Sequence, residues 1–326
     1  MEALLLKTFR NLGPMYYQRA RFARREIPWR DKWAHATQRE YERFIDALNP
    51  PDYQKASQHK VLEKATLTLL GLPTPRFLAF FHPQRGQDGQ GAWLRSCTDL
   101  AAFLRALDGQ RVCFKQVEGF GGSGFMALDV RDGGSVLQHP VDGKQTSVEA
   151  WYAQLCADEA GWLIEAYMPQ HPAMALFNSS SVNTLRLWVL DAHGGPRITH
   201  ALVRVGRAGD QVDNTTRGGL ALPIQMDSGL TLSGPDLKHP GQWQTHHPDS
   251  GVCLVGLPIP HWHEAQALAV RALQAFPRMR FAGLDIAIGV DGPMVIELNV
   301  QPDRISALRW DLPLRRYFRE ALARSR

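Results

Sequence analysis

The sequence predicts an α+β fold for this chain of 326 residues, with a helical segment at the N-terminal end. Short apolar runs such as VCFKQV, FMALDV and TLRLWVL follow one another from Arg111 onward and read as strands. Helical patterns do not alternate with them regularly, as a doubly wound parallel sheet would require. Before residue 57 the pattern is helical, since Tyr41, Phe44, Ile45 and Leu48 recur at the spacing of one helix face.

Two further helices are predicted before Arg111, with a loop and a strand in GLPTPRFLAFF between them. HKVLEKATLTLL reads as a helix that ends at Gly71, after the break at NPPDY. CTDLAAFLRAL reads as the next helix, with Thr98 or Asp99 as its N-cap. A later helix, HWHEAQALAVRALQAF, starts after Pro260 and precedes the last hairpin. The stretch from 206 to 250 is expected to be irregular.

The composition is that of a globular chain, with 44% hydrophobic and 21% charged residues. Apolar runs are shorter than the roughly 18–20 residues of a membrane span, and MEALLLKTF has too short an apolar stretch for a secretory signal. The four cysteines lack metal-ligand spacing, which indicates reduced thiols. We therefore expect a cytoplasmic protein without membrane contact.

The net charge of +5 is concentrated in residues 19–32 and 315–326. Such stretches can bind nucleic acid or another anionic surface, or they can be solvated helix faces. The second interpretation is favoured, because neither stretch interleaves aromatic and base-reading residues as nucleic-acid-binding modules do. Nothing in the pattern indicates an oligomeric state.

A glycine-rich loop lies in FKQVEGFGGSGF, residues 114–125. Its GxGxxG spacing is not a dinucleotide fingerprint, because the strand-like FMALDV follows where that motif needs a helix. A P-loop is excluded as well, since Lys-Ser/Thr does not follow the last glycine. A glycine loop between strands can bring backbone N–H groups close to phosphates, and Lys115 can add a charge there. The alternative is a flexible hairpin turn with an exposed lysine.

The stretch GLDIAIGVDGPMVIELNVQPD, residues 283–303, separates into two faces. Apart from Gly292 in the turn, its even positions from 284 to 300 are apolar, which predicts a core-facing side. The odd positions place Asp285, Glu297 and Asn299 beside small residues. Hard oxygen ligands of this kind suit Mg²⁺, and two neighbouring carboxylates repel each other without a cation. The alternative is the solvent-exposed face of an edge hairpin.

The register of this hairpin is predicted from its turn. Pro293 cannot donate to a strand ladder, so the expected loop is the three residues 291–293. Val290 then pairs with Met294. This register sets Asp285 opposite Asn299 and Ala287 opposite Glu297. The loop is expected to have an odd number of residues, because otherwise the two carboxylates could not share an ion.

Five segments in order resemble the ATP-grasp superfamily: FKQVEGFGGSG, LIEAYMPQHP, SSSVNTLRLWVL, NTTRGGLALPI and GLDIAIGVDGPMVIELNVQP. The likeness is to its sugar-transfer-associated ATP-grasp branch, related to α-L-glutamate ligase-type proteins, and it runs from about Lys60 to about Pro302. It implies two α/β subdomains with ATP between them. The implied division is a helical segment 1–57, the N-terminal and glycine-loop subdomains 58–162, and a C-terminal subdomain with the metal site, 163–326.

The resemblance also implies a role for each matching residue. The implied nucleotide contacts are Lys60 and Lys115 at the phosphates and the adenine side, Gly121, Gly122 and Gly124 in a lid over the triphosphate, and the backbone of Glu165 and Tyr167 at the adenine. Arg186 and Arg217 would neutralise the transferred phosphate, with Asn214 beside them, and Asp285, Glu297 and Asn299 would hold Mg²⁺ or Mn²⁺. His59 stands where an acidic residue commonly precedes the lysine, so Lys64 could substitute for Lys60.

The arginines and histidines also have alternative interpretations. Arg186 shares a strand face with Thr184 and Trp188, and Arg217 precedes two glycines, but either could be a surface arginine. His171, His246 and His247 lie in loops. They are candidates for substrate contact or for ordinary loop histidines.

The predicted function is that of a biosynthetic ATP-dependent ligase. A small-molecule carboxylate would attack the γ-phosphate of ATP to give an acylphosphate and ADP. An amine, or alternatively a hydroxyl or thiol, would then displace phosphate. This chemistry needs positioning and charge neutralisation more than a nucleophilic side chain. One alternative is a small-molecule kinase that phosphorylates a hydroxyl. Another is a basic nucleic-acid-binding protein with a degenerate nucleotide site.

Overall fold

The computed structural model describes residues 1–119, 124–192, 194–239 and 241–323. The predicted lid residues Gly121 and Gly122 lie outside these ranges. The helices of the described chain are α1 (Glu2–Arg10), α2 (Pro14–Arg19), α3 (Trp29–Trp33), α4 (Gln38–Leu48), α5 (Pro51–Gln58), α6 (Lys60–Leu69), α7 (Cys97–Arg105), α8 (Val148–Leu155), α9 (Pro172–Ala175), α10 (Trp262–Gln274) and α11 (Leu314–Ala323). None of them has the length and apolar content needed to cross a bilayer.

The strands form two main antiparallel sheets. The first contains β1 (Phe77–Phe81), β2 (Gln87–Asp88), β3 (Arg111–Gln116), β4 (Phe125–Arg131), β5 (Val136–Gln138), β6 (Gln145–Ser147) and β7 (Trp162–Ala166), in the order β2-β1-β7-β3-β4-β5-β6. The second contains β8 (Thr184–Ala192), β9 (Gly195–Val205), β10 (Leu220–Pro223), β13 (Phe281–Gly289) and β14 (Gly292–Asn299), in the order β10-β9-β8-β13-β14. A small pair, β11 (Gly234–Pro235) and β12 (Trp243–Gln244), lies in the stretch 206–250. The expectation that this stretch is irregular was wrong in part, because it also contains β10, which pairs with β9. The α+β prediction is confirmed.

Each main sheet has its own hydrophobic core. Residues of α7 and α8 pack on the first sheet around Phe114, Trp151 and Ile164. The second sheet packs against α10 through the alternating side chains Leu185, Leu187 and others of β8. β7 spans the proposed subdomain boundary between residues 162 and 163, and it lies within the first sheet, between β1 and β3.

The N-terminal segment is helical as predicted, and it covers the other face of the second sheet. Thr37 and Glu40 form a capping box that starts α4. α4 and α11 then bury Tyr41 and Phe318 in a cluster that includes Trp188 of β8. The segment therefore contributes to the stability of the sheet that carries the predicted metal ligands.

The prediction of the α7 N-cap was wrong by two to three residues. Ser96 is the N-cap, and its side chain accepts a hydrogen bond from the Asp99 backbone. Asp99 instead accepts from the backbone N–H of Ser96, which completes a capping box. Ser96 caps the helix because it lies one position before the first helical residue, where the unpaired N–H groups of the first turn can reach its hydroxyl.

The predicted register of the β13–β14 hairpin was also wrong. Gly289 pairs with Gly292, so the loop has two residues, and Pro293 lies in β14 opposite Ile288. A bulge then interrupts the ladder, and beyond it Asp285 lies opposite Glu297. One extra residue in β14 shifts the alternation of side chains by one position. The loop therefore did not need an odd number of residues.

The bulge also changes which side chains of β14 face the core. Val295 is buried there, although it was assigned to the polar face. Ile296 was assigned to the core and instead lines the cavity described below. Val290, predicted to be apolar and inward, is exposed in the turn. The parity rule therefore holds along β13 and for residues 297–300, where Leu298 and Val300 are buried and Glu297 and Asn299 line the cavity, and it fails between the turn and the bulge.

Candidate active site

A cavity opens between the two main sheets, with a volume of about 1110 Å³ counting its open mouth. The first sheet contributes β3 and the end of β7, and α6 contributes its first residue, Lys60. The second sheet contributes side chains of β8, β9, β13 and β14, and residues 211–214 form part of the rim. Predicted site residues from all five resembling segments border this one space.

A buried ion triad lies where α6, β3 and β7 meet. The carboxylate of Glu165 lies 2.5 Å from the Lys64 ammonium and 2.6 Å from that of Lys115. Burial alone would raise the pKa of Glu165, but the two lysines hold it below its ordinary value. Lys64 also donates to Thr74 and to the Pro75 carbonyl. Lys115 is therefore fixed at the cavity wall by a carboxylate that Lys64 helps to neutralise.

Lys60 lies at the start of α6 and links the glycine loop to β14. Its ammonium donates to the Gly119 carbonyl at 2.7 Å and lies 3.6 Å from the Glu297 carboxylate. Lys60 and Lys64 both belong to the site, with different neighbours. Lys60 is the one that lines the cavity.

Two arginines surround Asp285 on the second sheet. Arg186 on β8 lies opposite Asp285 and forms two bonds with it, from Nε at 2.5 Å and from a terminal nitrogen at 3.0 Å. Arg204 on β9 approaches the second oxygen at 3.5 Å. Burial raises the pKa of Asp285, but Arg186 and Arg204 lower it below the ordinary value, so the group is ionised.

Arg204 is itself held in place by a second buried carboxylate. Asp213 accepts from Arg204 at 2.7 Å and from both the backbone N–H and the hydroxyl of Thr184. Its burial raises the pKa, and Arg204 opposes that shift. Two carboxylates in turn raise the pKa of the Arg204 guanidinium against the effect of burial. The network fixes the direction of both arginines toward the cavity.

The predicted metal ligands share one wall of the cavity. Asp285 and Glu297 are cross-strand neighbours, and Asn299 follows two residues later. The Asn299 amide nitrogen donates to the Gly283 carbonyl and to Asp285, which leaves its oxygen as an acceptor. Among the described residues there is no cluster of three or more His, Cys, Asp or Glu side chains that could hold a metal. Two carboxylates and an amide oxygen nevertheless fit Mg²⁺, which takes few protein ligands and keeps waters.

The segment after β7 forms the inner end of the cavity. Ala166, Tyr167 and Met168 line it together with Ile296 from the facing strand. The Tyr167 backbone N–H donates to the Arg111 carbonyl, and the Arg111 guanidinium lies 5.0 Å from the Tyr167 ring centre. The apolar side chains here suit the flat face of a nucleobase.

The described end of the glycine loop is connected to the second sheet. Gly124 has a φ of +72°, and a Cβ there would clash with the Gln116 side chain. Ala127, three residues after Gly124, is bonded to Gln211. The Gln211 amide donates to the Ala127 carbonyl at 2.8 Å and accepts from the Ala127 N–H at 3.0 Å. Gln211 thus connects the loop after β9 of the second sheet to β4, the strand of the first sheet that follows the glycine loop.

Arg217 and the three histidines do not border the cavity, whereas Asn214 does. The Arg217 side chain is 55% exposed and pairs with Asp210. His171 caps α9, and His246 is exposed beside Thr245. His247 is buried in its own loop, where it bonds the Gly206 carbonyl and accepts from Asp249 and Ser250.

Three site residues were missed at the sequence level: Arg204, Asp213 and Gln211. Arg204 had a visible signal, because it is the one charged residue in the apolar run ALVRVG. Asp213 immediately precedes Asn214, the first residue of the resembling segment NTTRGGLALPI, and an acidic residue there is a natural partner for an arginine. Gln211 had no local signal, since its partner is the backbone of a distant strand.

The cleft between the two main sheets defines a protein whose cationic and acidic side chains converge on one cavity. The family comparison places it further: the model of sugar-transfer associated ATP-grasp proteins matches residues 39–308. The chain belongs to this ATP-grasp family. A search of curated proteins found no match.

Solved structures that resemble the chain at low identity include ligases and a synthase. The ATP-grasp ligase PsnB, complexed with a minimal precursor, is 18% identical over 91% of this chain and 72% of its own, with a TM-score of 0.46. The carboxyaminoimidazole ribonucleotide synthase of Aspergillus clavatus, complexed with ATP, is 16% identical over 77% of this chain and 47% of its own, with a TM-score of 0.44. The D-alanine–D-alanine ligase of Bacillus anthracis is 11% identical over 81% and 69%, with a TM-score of 0.41.

Proposed function

We propose that this protein is an ATP-dependent carboxylate–amine ligase that forms an amide bond through an acylphosphate and releases ADP and phosphate. One observation carries the proposal: cationic side chains from both sheets and the oxygens of Asp285, Glu297 and Asn299 border a single cavity. Membership of the ATP-grasp family supports ATP as the nucleotide that the cavity binds. Chemistry of this kind depends on positioning and charge more than on a nucleophilic side chain.

The base of ATP would lie at the inner end, against Met168 and Ile296. Lys60 and Lys115 would contact the phosphates, since both ammonium groups are already held at the cavity wall. The side chains of Asp285, Glu297 and Asn299 would hold Mg²⁺, which supplies charge neutralisation of the phosphate oxygens when bound.

The two arginines would act on the reacting centre. Arg186 and Arg204 are directed into the cavity by Asp285 and Asp213. They would orient the substrate carboxylate and stabilise the negative charge that develops on the transferred phosphoryl group. The amine would then attack the acyl carbon, and phosphate would leave.

The test is ADP release against a matrix of small carboxylates and amines, followed by trapping with hydroxylamine. A carboxylate that yields a hydroxamate together with ADP supports the acylphosphate. A phosphorylated hydroxyl compound without any hydroxamate would identify a kinase instead. Failure of the protein to bind Mg-ATP would exclude both the ligase and the kinase.

A further inference from the structure

The outer edge of β14 carries two N–H groups with an irregular spacing. Val295 donates to the Pro73 carbonyl at 2.8 Å, and Leu298 donates to the Glu63 carboxyl at 3.0 Å. In a regular strand, N–H groups on one edge recur every second residue. These two are three residues apart. The additional residue is the bulge at Ile296, so Glu63 and Pro73 hold the two sides of the bulge.

This bulge decides which side chain faces Asp285. If the pairing of Gly289 with Gly292 continued without it, Ile296 would lie opposite Asp285. Glu297 would then point to the other face of the sheet, because neighbouring side chains in a strand alternate. With the bulge, Glu297 lies opposite Asp285 and borders the cavity.

Glu63 is buried between α6 and β14 and is outside the cavity lining. One of its carboxyl oxygens accepts from Leu298, and the other has no hydrogen-bond partner among the described residues. Burial, reinforced by Glu297, raises its pKa well above the ordinary value. The hydrogen bond from Leu298 requires only an acceptor oxygen, a role that an amide oxygen can also fill.

We propose that Glu63 is a positioning residue that stabilises the β14 bulge and thereby sets Glu297 opposite Asp285. It acts through the Leu298 backbone and touches neither nucleotide nor reacting atoms. Lys60, three residues earlier on the same helix face, reaches Glu297 directly at 3.6 Å. α6 thus contributes two side chains here: Glu63 holds the strand that bears Glu297, and Lys60 places an ammonium group beside Glu297.

The test compares Glu63→Met with Glu63→Gln in the nucleotide-free protein by hydrogen exchange. Met removes the acceptor with similar length, whereas Gln retains an acceptor oxygen. We expect exchange in the peptide covering 294–300 to rise about tenfold or more in E63M, with β9 unchanged, and to stay at the wild-type rate in E63Q. Glu42→Met is the matched control, since Glu42 is an exposed helical glutamate.

Wild-type exchange in E63M, or equal acceleration in E63Q and E63M, would overturn the proposal. E63Q keeps it falsifiable even if E63M is too unstable to purify. A second readout rests on the proposed function: E63M should weaken Mg-ATP binding about 10–100-fold, and E63Q should not. If the wild-type protein bound no Mg-ATP, the proposed function would fail while the exchange result still decided the role of Glu63.

Discussion

Arg186 and Asp285 lie opposite each other on neighbouring strands and form a buried two-bond ion pair, with Nε–Oδ1 at 2.5 Å. Asp285 also borders Glu297 across the next strand pair. One carboxylate therefore belongs both to the arginine network and to the predicted metal wall. Under the proposed function, this residue would connect the arginines at the phosphate to the ligands of the cation.

Glu297→Gln and Asn299→Ala are expected to abolish most activity while the fold is kept. Both side chains border the cavity and are partly exposed, so neither supports the core. Each change removes an oxygen ligand or its charge. Activity should be followed by ADP release, and folding by circular dichroism. Wild-type turnover in either variant would remove the metal assignment.

The contributions of Arg204 and Arg217 to activity can be distinguished by substituting each residue separately. Arg204→Met should reduce kcat about a hundredfold or more, because Arg204 is directed at the cavity by Asp213. Arg217→Ala should have a much smaller effect, since its side chain is exposed beside Asp210. The reverse order would show that Arg217 enters the cavity when substrate binds.

Gln211→Leu should raise KM for ATP several-fold and leave the thermal midpoint within about 2 °C of the wild type. Leucine has a similar volume and loses both bonds to Ala127, so the attachment between the sheets is weakened. Gln145→Leu, an exposed position on β6, serves as the control. An unchanged KM for ATP in Q211L would contradict a role for this link.

Asn49→Ala should lower the free energy of unfolding by about 3 kcal/mol or more, measured by urea titration. The buried amide donates to the carbonyls of Phe281 and Val300 and accepts from the N–H groups of Arg280 and Phe281. Asn49→Asp keeps only the acceptor half and should be destabilised as well. Wild-type stability in N49D would show that the two donated bonds contribute little.

His35 predicts an acid-sensitive component of stability. Burial, with a smaller effect of Arg304, lowers the pKa of His35 to about 3, from 6.5 in the exposed group. Below pH 6.5 the unfolded chain therefore binds a proton that the folded chain does not. Stability is full above pH 6.5 and falls with decreasing pH, by about 2 kcal/mol at pH 5.

In His35→Phe, the free energies of unfolding at pH 5 and pH 7, measured by urea titration, should differ by about 2 kcal/mol less than in the wild type. The absolute stability of the variant is a separate matter, because the Tyr16 hydroxyl loses its partner at His35. An unchanged slope between the two pH values would show that His35 is not buried in the neutral form.

The class of fold could be read from local patterns in the chain. Alternating apolar residues predicted β8 and β13 with their correct inward faces, because one buried side of a strand fixes every second residue. The glycine-rich loop between strands excluded the dinucleotide and P-loop folds. The order of five segments identified the family, which the family comparison confirmed over residues 39–308.

The register of the β13–β14 hairpin, which carries the predicted metal ligands, could not be predicted from local patterns. The turn sequence allowed a three-residue loop, and the alternation along β14 was taken to be unbroken. Both inferences use only neighbouring residues. The bulge instead depends on a bond between Glu63 and Leu298, which are 235 residues apart.

The sequence by itself therefore determined which residue types meet in the cleft: lysines, arginines, carboxylates and an asparagine from segments in a fixed order. Only the tertiary structure decided how they are paired. Arg204 reached the cavity because β9 lies beside β8, and Arg217 stayed outside because its loop turns toward Asp210. The physical reason is that local periodicity fixes the face of a strand, whereas register and charge pairing depend on contacts between distant parts of the chain.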